Sequence, residues 1–365
     1  MDADPAPRED APEPAPRRAR RPRYAGTHPR AFGEKYKEHD PSRYPEEAAH
    51  VRARGRTPAG THVPILVVEV LEALAPGPAD VVADLTLGWG GHASAFLARL
   101  GPAGRLLAFD QDAPTLEATR ARLEAAGPAA RVTWHAVHHA ALPDVLRAEG
   151  LDGCDVVFAD LGVSSMQVDD PARGFSYRRE GPLDMRMDRR RRRTAADLVA
   201  TLAEADLEAA LRELADEPRA AAVAAAIVAA RARAPLVTTT DLARAVLAAH
   251  GLTLDAWKAR QRREPDAPHP AARAFQALRI LVNDELGGLD RLLAALPWCL
   301  RAGGRVGVLS FHSGEDRRVK HAFRAGLEAG LYDAVADDVI RASPREVASN
   351  PRAAPAKLRW ARRAR

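Results

Sequence analysis

Cysteine is scarce in this chain: 365 residues contain two, Cys154 and Cys299. Each lies in an apolar run, one strand-like and one helix-like, so reduced, buried thiols in a cytoplasmic protein are expected and a disulfide scaffold is excluded. No Cys/His cluster has the spacing of zinc ligands, and no metal is expected. Long hydrophobic runs are missing as well. None approaches the roughly 18 apolar residues of a membrane-spanning helix, so no membrane partner is expected. The charged, proline-rich N-terminus has no apolar stretch of the secretory kind, and no internal repeat is found.

What is present is 46% hydrophobic residues, in a chain long enough for two domains and a sizeable core. A net charge of +5 is compatible with a nucleic-acid partner. Ala, Arg, Pro and Leu dominate the composition, however, so the placement of the arginines tells more than their number. Residues 1–56 combine repeated Pro with alternating charges and no hydrophobic period, and are expected to form a disordered or loosely docked extension. Their Arg17, Arg18, Arg20, Arg21 and Arg23 fit either a solvated basic tail or an RNA contact.

The chain is organised around residues 81–92, VVADLTLGWGGH. An apolar run closing on Asp84, followed by Gly88, Gly90 and Gly91, predicts a strand that stops at a tight turn approachable by a ligand. Ala93, Phe96, Leu97 and Leu100 then mark one face of a helix whose first amides point at the turn. The next apolar run ends at Asp110, about 20 residues past the glycines, where a carboxylate faces ribose hydroxyls in such folds. A nucleoside-containing cofactor is implied. The glycines also satisfy the dinucleotide pattern, so NAD remains a competitor at this point.

Further strands are predicted at residues 132–134, 155–160 and 305–311, and Asp112 with Pro114 predicts the cap and first turn of an intervening helix. Alternating strands and helices imply an α/β fold with a doubly wound, mostly parallel sheet and its ligand at the carboxyl ends of the strands. Asp160 and the strand at Arg305 are about 145 residues apart, against about 30 for an ordinary βαβ step. Residues 168–270 therefore read as an inserted all-helical domain between a first sheet part at 57–167 and a second at 271–365. Its helices include one with Leu207, Ala210, Leu211 and Leu214 on a face and one capped by Thr239 or Thr240. Phe275, Leu278, Val282, Leu289, Leu293 and Leu296 form one stripe, predicting a single long helix kinked at Gly287 and Gly288.

The most specific block is FADLGVSSMQVDDPARGFSYRREGPLDMRMD, residues 158–188. Together with HVPILVVEVL, GWGGH, HPAARAFQALRILVNDEL and SFHSGEDRRVKHAF, it resembles the bacterial 16S ribosomal RNA (cytosine-N4)-methyltransferases, the RsmH or MraW family, over residues 62–359. The resemblance implies a Rossmann-like, class I enzyme that uses S-adenosyl-L-methionine to methylate N4 of a cytidine in the decoding region. It also implies 16S rRNA or the 30S subunit as partner, and leaves a homodimer open. Carried over by position, the cofactor contacts fall on Gly90, Gly91, His92, Asp110, His138, Asp160 and Gln167. The candidate catalytic residues are Asp160, which binds the exocyclic amino group, Ser164 in a loop of small residues, and His312.

Three departures stand out. His138 replaces an aromatic Phe, Trp89 replaces an Arg in the turn, and residues 217–228, EPRAAAVAAAIV, lack the bases the family carries there. Arg173, Arg178, Arg179 and Arg186 are favoured over the run at 189–193 for RNA contact, and Phe175 and Tyr177 fit either base stacking or core packing. A cofactor-dependent methyltransferase is the main expectation. An NAD-dependent oxidoreductase and a non-catalytic RNA-binding protein are the alternatives.

Overall fold

A computed structural model describes residues 64–264 and 267–365. The extension expected at 1–56 lies outside the described residues. Seven strands form one sheet in the order β3-β2-β1-β4-β5-β7-β6. They span Val81–Asp84 (β1), Arg105–Phe109 (β2), Arg131–His135 (β3), Cys154–Asp160 (β4), Leu300–Ser310 (β5), Tyr332–Val335 (β6) and Lys357–Arg363 (β7). β1 to β5 pair in parallel, and β7 runs antiparallel to both β5 and β6.

Alternation along the strands feeds two cores. Val82, Leu106, Ala108, Val156 and Phe158 enter one with Leu66, Leu74 and Phe96. Ala83, Leu107, Phe109, Val157 and Ala159 enter the other with Leu142, Leu289 and Leu296. A sheet covered on both faces explains why its strands read as unbroken apolar runs. β6 and β7 escaped the sequence reading because KLRWARR places bases at most positions and lacks such a run.

A third core belongs to the helices Ala195–Thr201, Glu204–Ala215, Ala220–Arg231 and Thr239–Ala249, with Leu198, Leu211, Val223, Ile227 and Leu242 inside. Thr238, one residue before the expected pair, caps the last of these, its side chain accepting from Asp241 N. The long helix expected from the apolar stripe is instead two, Ala272–Asn283 and Glu285–Cys299. They break at Asp284, whose φ of 52° is left-handed, and not at the glycines. Phe275, Leu278 and Val282 face the helical core, whereas Leu289, Leu293 and Leu296 face the sheet. Gly288 answers a close approach: a Cβ there would lie 2.1 Å from His138 Cε1. We place the boundary of the helical unit at this break, since the packing of Ala272–Asn283 is with the helices.

Candidate active site at the strand tips

β1, β2 and β4 each deliver an acid to the same sheet edge, namely Asp84, Asp110 and Asp160. Beside them lies a cavity of about 520 Å³ walled by Gly88, Gly91, His92, Asp110, Gln111, Asp160, Ser164, Gln167 and His312. Asp110 and Asp160 thus share one hollow.

Loop amides organise the Asp110 side. Its Oδ2 accepts from Gly88 N and its Oδ1 from Asp112 N, both at 2.8 Å. Burial pushes its pKa up to about 6, against the opposing pull of these two N–H groups. Gly91 lines the cavity, but Gly90 does not: its φ of 66° and the 2.8 Å that would separate a Cβ from Thr119 Cγ2 make it a residue of the turn-helix joint. Trp89 lines the cavity, and its carbonyl accepts from Arg122 Nη2.

Different surroundings hold Asp160. Its main-chain N–H donates to Thr86 Oγ1, fastening the strand end. Burial, then the nearby charges of Asp84 and Glu315, push its carboxyl up to about 8. Asp84, 1% exposed, is pushed up to about 7, again chiefly by burial. His92 lies 3.7 Å from Asp160 through Nδ1, while its Nε2 shares a 2.9 Å hydrogen bond with Ile65 O. Burial lowers the His92 pKa to about 4, so the imidazole is neutral and leaves the acids without a cation.

The remaining wall comes from the loop after β4 and from the helical unit. Ser164 caps the helix Ser165–Asp169, its hydroxyl accepting from Gln167 N, while Gln167 Oε1 accepts from Ser164 N. Gln167 Nε2 donates to Asp112 Oδ2 at 2.8 Å. His312 sits 3.2 Å from Glu315, which also accepts from Phe311 N and so fixes the turn after β5. Arg279 reaches the wall paired through both carboxylate oxygens to Glu285. Phe175 and Tyr177 line the cavity from the helical core, and Tyr177 stacks on His269 at 4.3 Å.

Arg173 stands elsewhere than expected, and His138 lies at the margin of the site. The His138 ring packs on Gly288 and on His139, 3.9 Å away, and lines a small annex behind the main cavity; His139 is the one that reaches the main wall. Arg173, favoured above for RNA, is buried in an ion pair with Asp112. Arg186 is held by Asp184 and Arg190 by Asp188, whereas Arg178 is exposed over the Tyr177 ring. The sequence reading passed over Gln111 and the part played by Asp84. VVAD, LLAFD and VVFAD share one pattern, so Asp84 carried a readable signal. Among the described residues no cluster of three or more His, Cys, Asp or Glu is placed to hold a metal ion, and no helix is long and apolar enough to cross a membrane.

The profile of the MraW methylase family matches residues 59–364. Ribosomal RNA small subunit methyltransferase H 2 of Alkaliphilus metalliredigens is 42% identical, covering 94% of this chain and 97% of its own length. Ribosomal RNA small subunit methyltransferase H of Halorhodospira halophila is 46% identical over 84% of this chain and 95% of its own. With that extent of match joined to the sheet order and the acids at its edge, the chain belongs to the MraW methylase family.

Proposed function

We propose that this protein transfers a methyl group from S-adenosylmethionine to the exocyclic N4 of a cytidine in the decoding region of small-subunit ribosomal RNA. The observation that carries this reading is that Asp110 and Asp160 open into one cavity at the carboxyl edge of the sheet, in a chain of this family. The cavity suits the cofactor. Its volume falls within the range of about 300–1,000 Å³ usual for small-molecule sites. Each Asp110 oxygen holds one amide and has a lone pair left for a ribose hydroxyl. The buried Gln111 Oε1 on the same wall has no hydrogen-bond partner within the protein.

When bound, S-adenosylmethionine supplies an electrophilic methyl group carried by a positive sulfur. Asp160, pushed up to about 8, is largely protonated at neutral pH on its own; a cation beside it favours its ionised form, and that form favours the cation in turn. An exocyclic amino nitrogen is a poor nucleophile because its lone pair is shared with the ring. Asp160 accepts a hydrogen bond from the amino group, turning the lone pair toward the methyl carbon. As the nitrogen–carbon bond forms and the carbon–sulfur bond breaks, the amino proton passes to an Asp160 oxygen. Ser164 and Gln167 fix the loop that carries the pyrimidine, and Phe175 and Tyr177 offer ring faces beside it.

The test is mass spectrometry of nucleosides from 16S rRNA incubated with the protein and S-adenosylmethionine. N4-methylcytidine is expected with the wild type, and its absence on both free rRNA and 30S particles would remove the assignment.

A further inference from the structure

We propose that Arg173 is a positioning residue that makes seating of the target nucleotide depend on occupation of the Asp110 subsite, a proposal that rests on the roles given above to Asp110 and Asp160. Arg173 is 8% exposed, and its guanidinium joins parts of the chain far apart in sequence. Nη1 donates to Asp112 Oδ2 at 2.6 Å, and Nη2 donates to the carbonyls of Arg186 and Met187 at 3.0 and 3.1 Å. The same fork therefore closes the loop of residues 173–187 and fastens it to the tip of β2. That loop supplies Phe175, Tyr177 and Met187 to the cavity wall.

Asp112 is the hinge pin of the arrangement. Its main-chain N–H donates to Asp110 Oδ1, while its single oxygen Oδ2 receives both Arg173 and Gln167. A ligand that fixes the Asp110 carboxylate fixes the Asp112 main chain, and through it both side chains that shape the nucleotide side of the cavity. Asp112 Oδ1 is buried without a hydrogen-bond partner, so the pairing at this point depends on Oδ2 alone. As a mere staple, a buried ion pair offers little: apolar groups of similar volume often serve as well or better. What charge and the planar fork add is direction, because only one placement of the loop satisfies the carboxylate and both carbonyls.

Coupling of this kind is reciprocal, so it can be read from either ligand. Calorimetry gives the affinity for S-adenosylhomocysteine with and without a 16S rRNA fragment containing the target cytidine. The wild type is expected to bind about fivefold or more tightly in the presence of RNA. The double variant Arg173→Met with Asp112→Leu removes both charges together, so no lone buried charge remains and the melting temperature should stay within about 5 °C. Its coupling should drop below about twofold, with a raised KM for RNA. Arg173→Lys keeps the charge but loses the fork; it provides a second measurement should the double variant not fold, with coupling reduced about threefold. Wild-type coupling retained in the double variant, or in Arg173→Lys if only that folds, would overturn the proposal, as would a wild type that methylates rRNA without coupling. A wild type that methylates no rRNA refutes the proposed function, and this inference falls with it.

Discussion

Asp110 and Asp160 stand at the tips of β2 and β4 on one sheet edge, with β1 between them, and their surroundings differ. Two main-chain N–H groups hold the Asp110 carboxylate, so a pKa of about 6 leaves it ionised at neutral pH. Burial, and then two acids as neighbours, push Asp160 up to about 8. On the proposed function, one binds and the other holds or releases a proton. Identical side chains at equivalent strand ends are separated by what the loops supply: amides in one case, like charges in the other.

The strongest way to break this comparison is to remove the titrating group. Asp160→Asn should lower transfer of labelled methyl by about 100-fold or more, the range in which a positioned acid–base group works; a loss under tenfold would take the role away. Asp110→Ala should act on binding instead, weakening S-adenosylhomocysteine by about 1.5–3 kcal/mol in calorimetry, as expected for hydrogen bonds to a charged group. Unchanged affinity would put the ribose elsewhere.

pH sharpens the contrast. S-adenosylhomocysteine affinity should fall as pH drops below about 6, where Asp110 protonates, whereas kcat/KM for RNA should fall at a separate midpoint set by Asp160, lowered from about 8 by the charge of the bound cofactor. Coincident midpoints would show that one group governs both. Stability should respond with the opposite sign. An unfolded Asp gives up its proton near 4, while folded Asp160 keeps it to about 8, so the native state binds more protons across that window and loses stability as pH rises through it. Thermal melts at pH 5 and pH 8 should show a shallower decline in Asp160→Asn; an identical slope would mean that Asp160 is not raised.

The smallest expected effect separates turn from ligand. Gly90→Ala places a side chain in a left-handed conformation against Thr119 and should cost about 1–2 kcal/mol of stability in chemical denaturation. Affinity for S-adenosylhomocysteine should change much less, because Gly90 is outside the cavity lining.

Much of the site was legible because parallel strands covered on both faces leave unbroken apolar runs, and each run ended on its acid. The helical unit was legible as an interval too long for a crossover. Its border was not: one apolar stripe from Phe275 to Leu296 serves two cores, and the left-handed Asp284 that divides it carries no helix-breaking signature. Arg173 was misread for the same reason, since a lone arginine in a polar loop looks solvent-facing until Asp112 is found against it.

By itself the sequence determined the five parallel strands, the acids at the strand ends and the family, because these follow from hydrophobic period and local motif. Tertiary structure alone decided which acids share a cavity, that Glu315 and Asp84 raise the proton affinity of Asp160, and that Arg173 faces inward. Those outcomes depend on burial and on charges brought together from distant parts of the chain, and neither quantity is a property of any one segment.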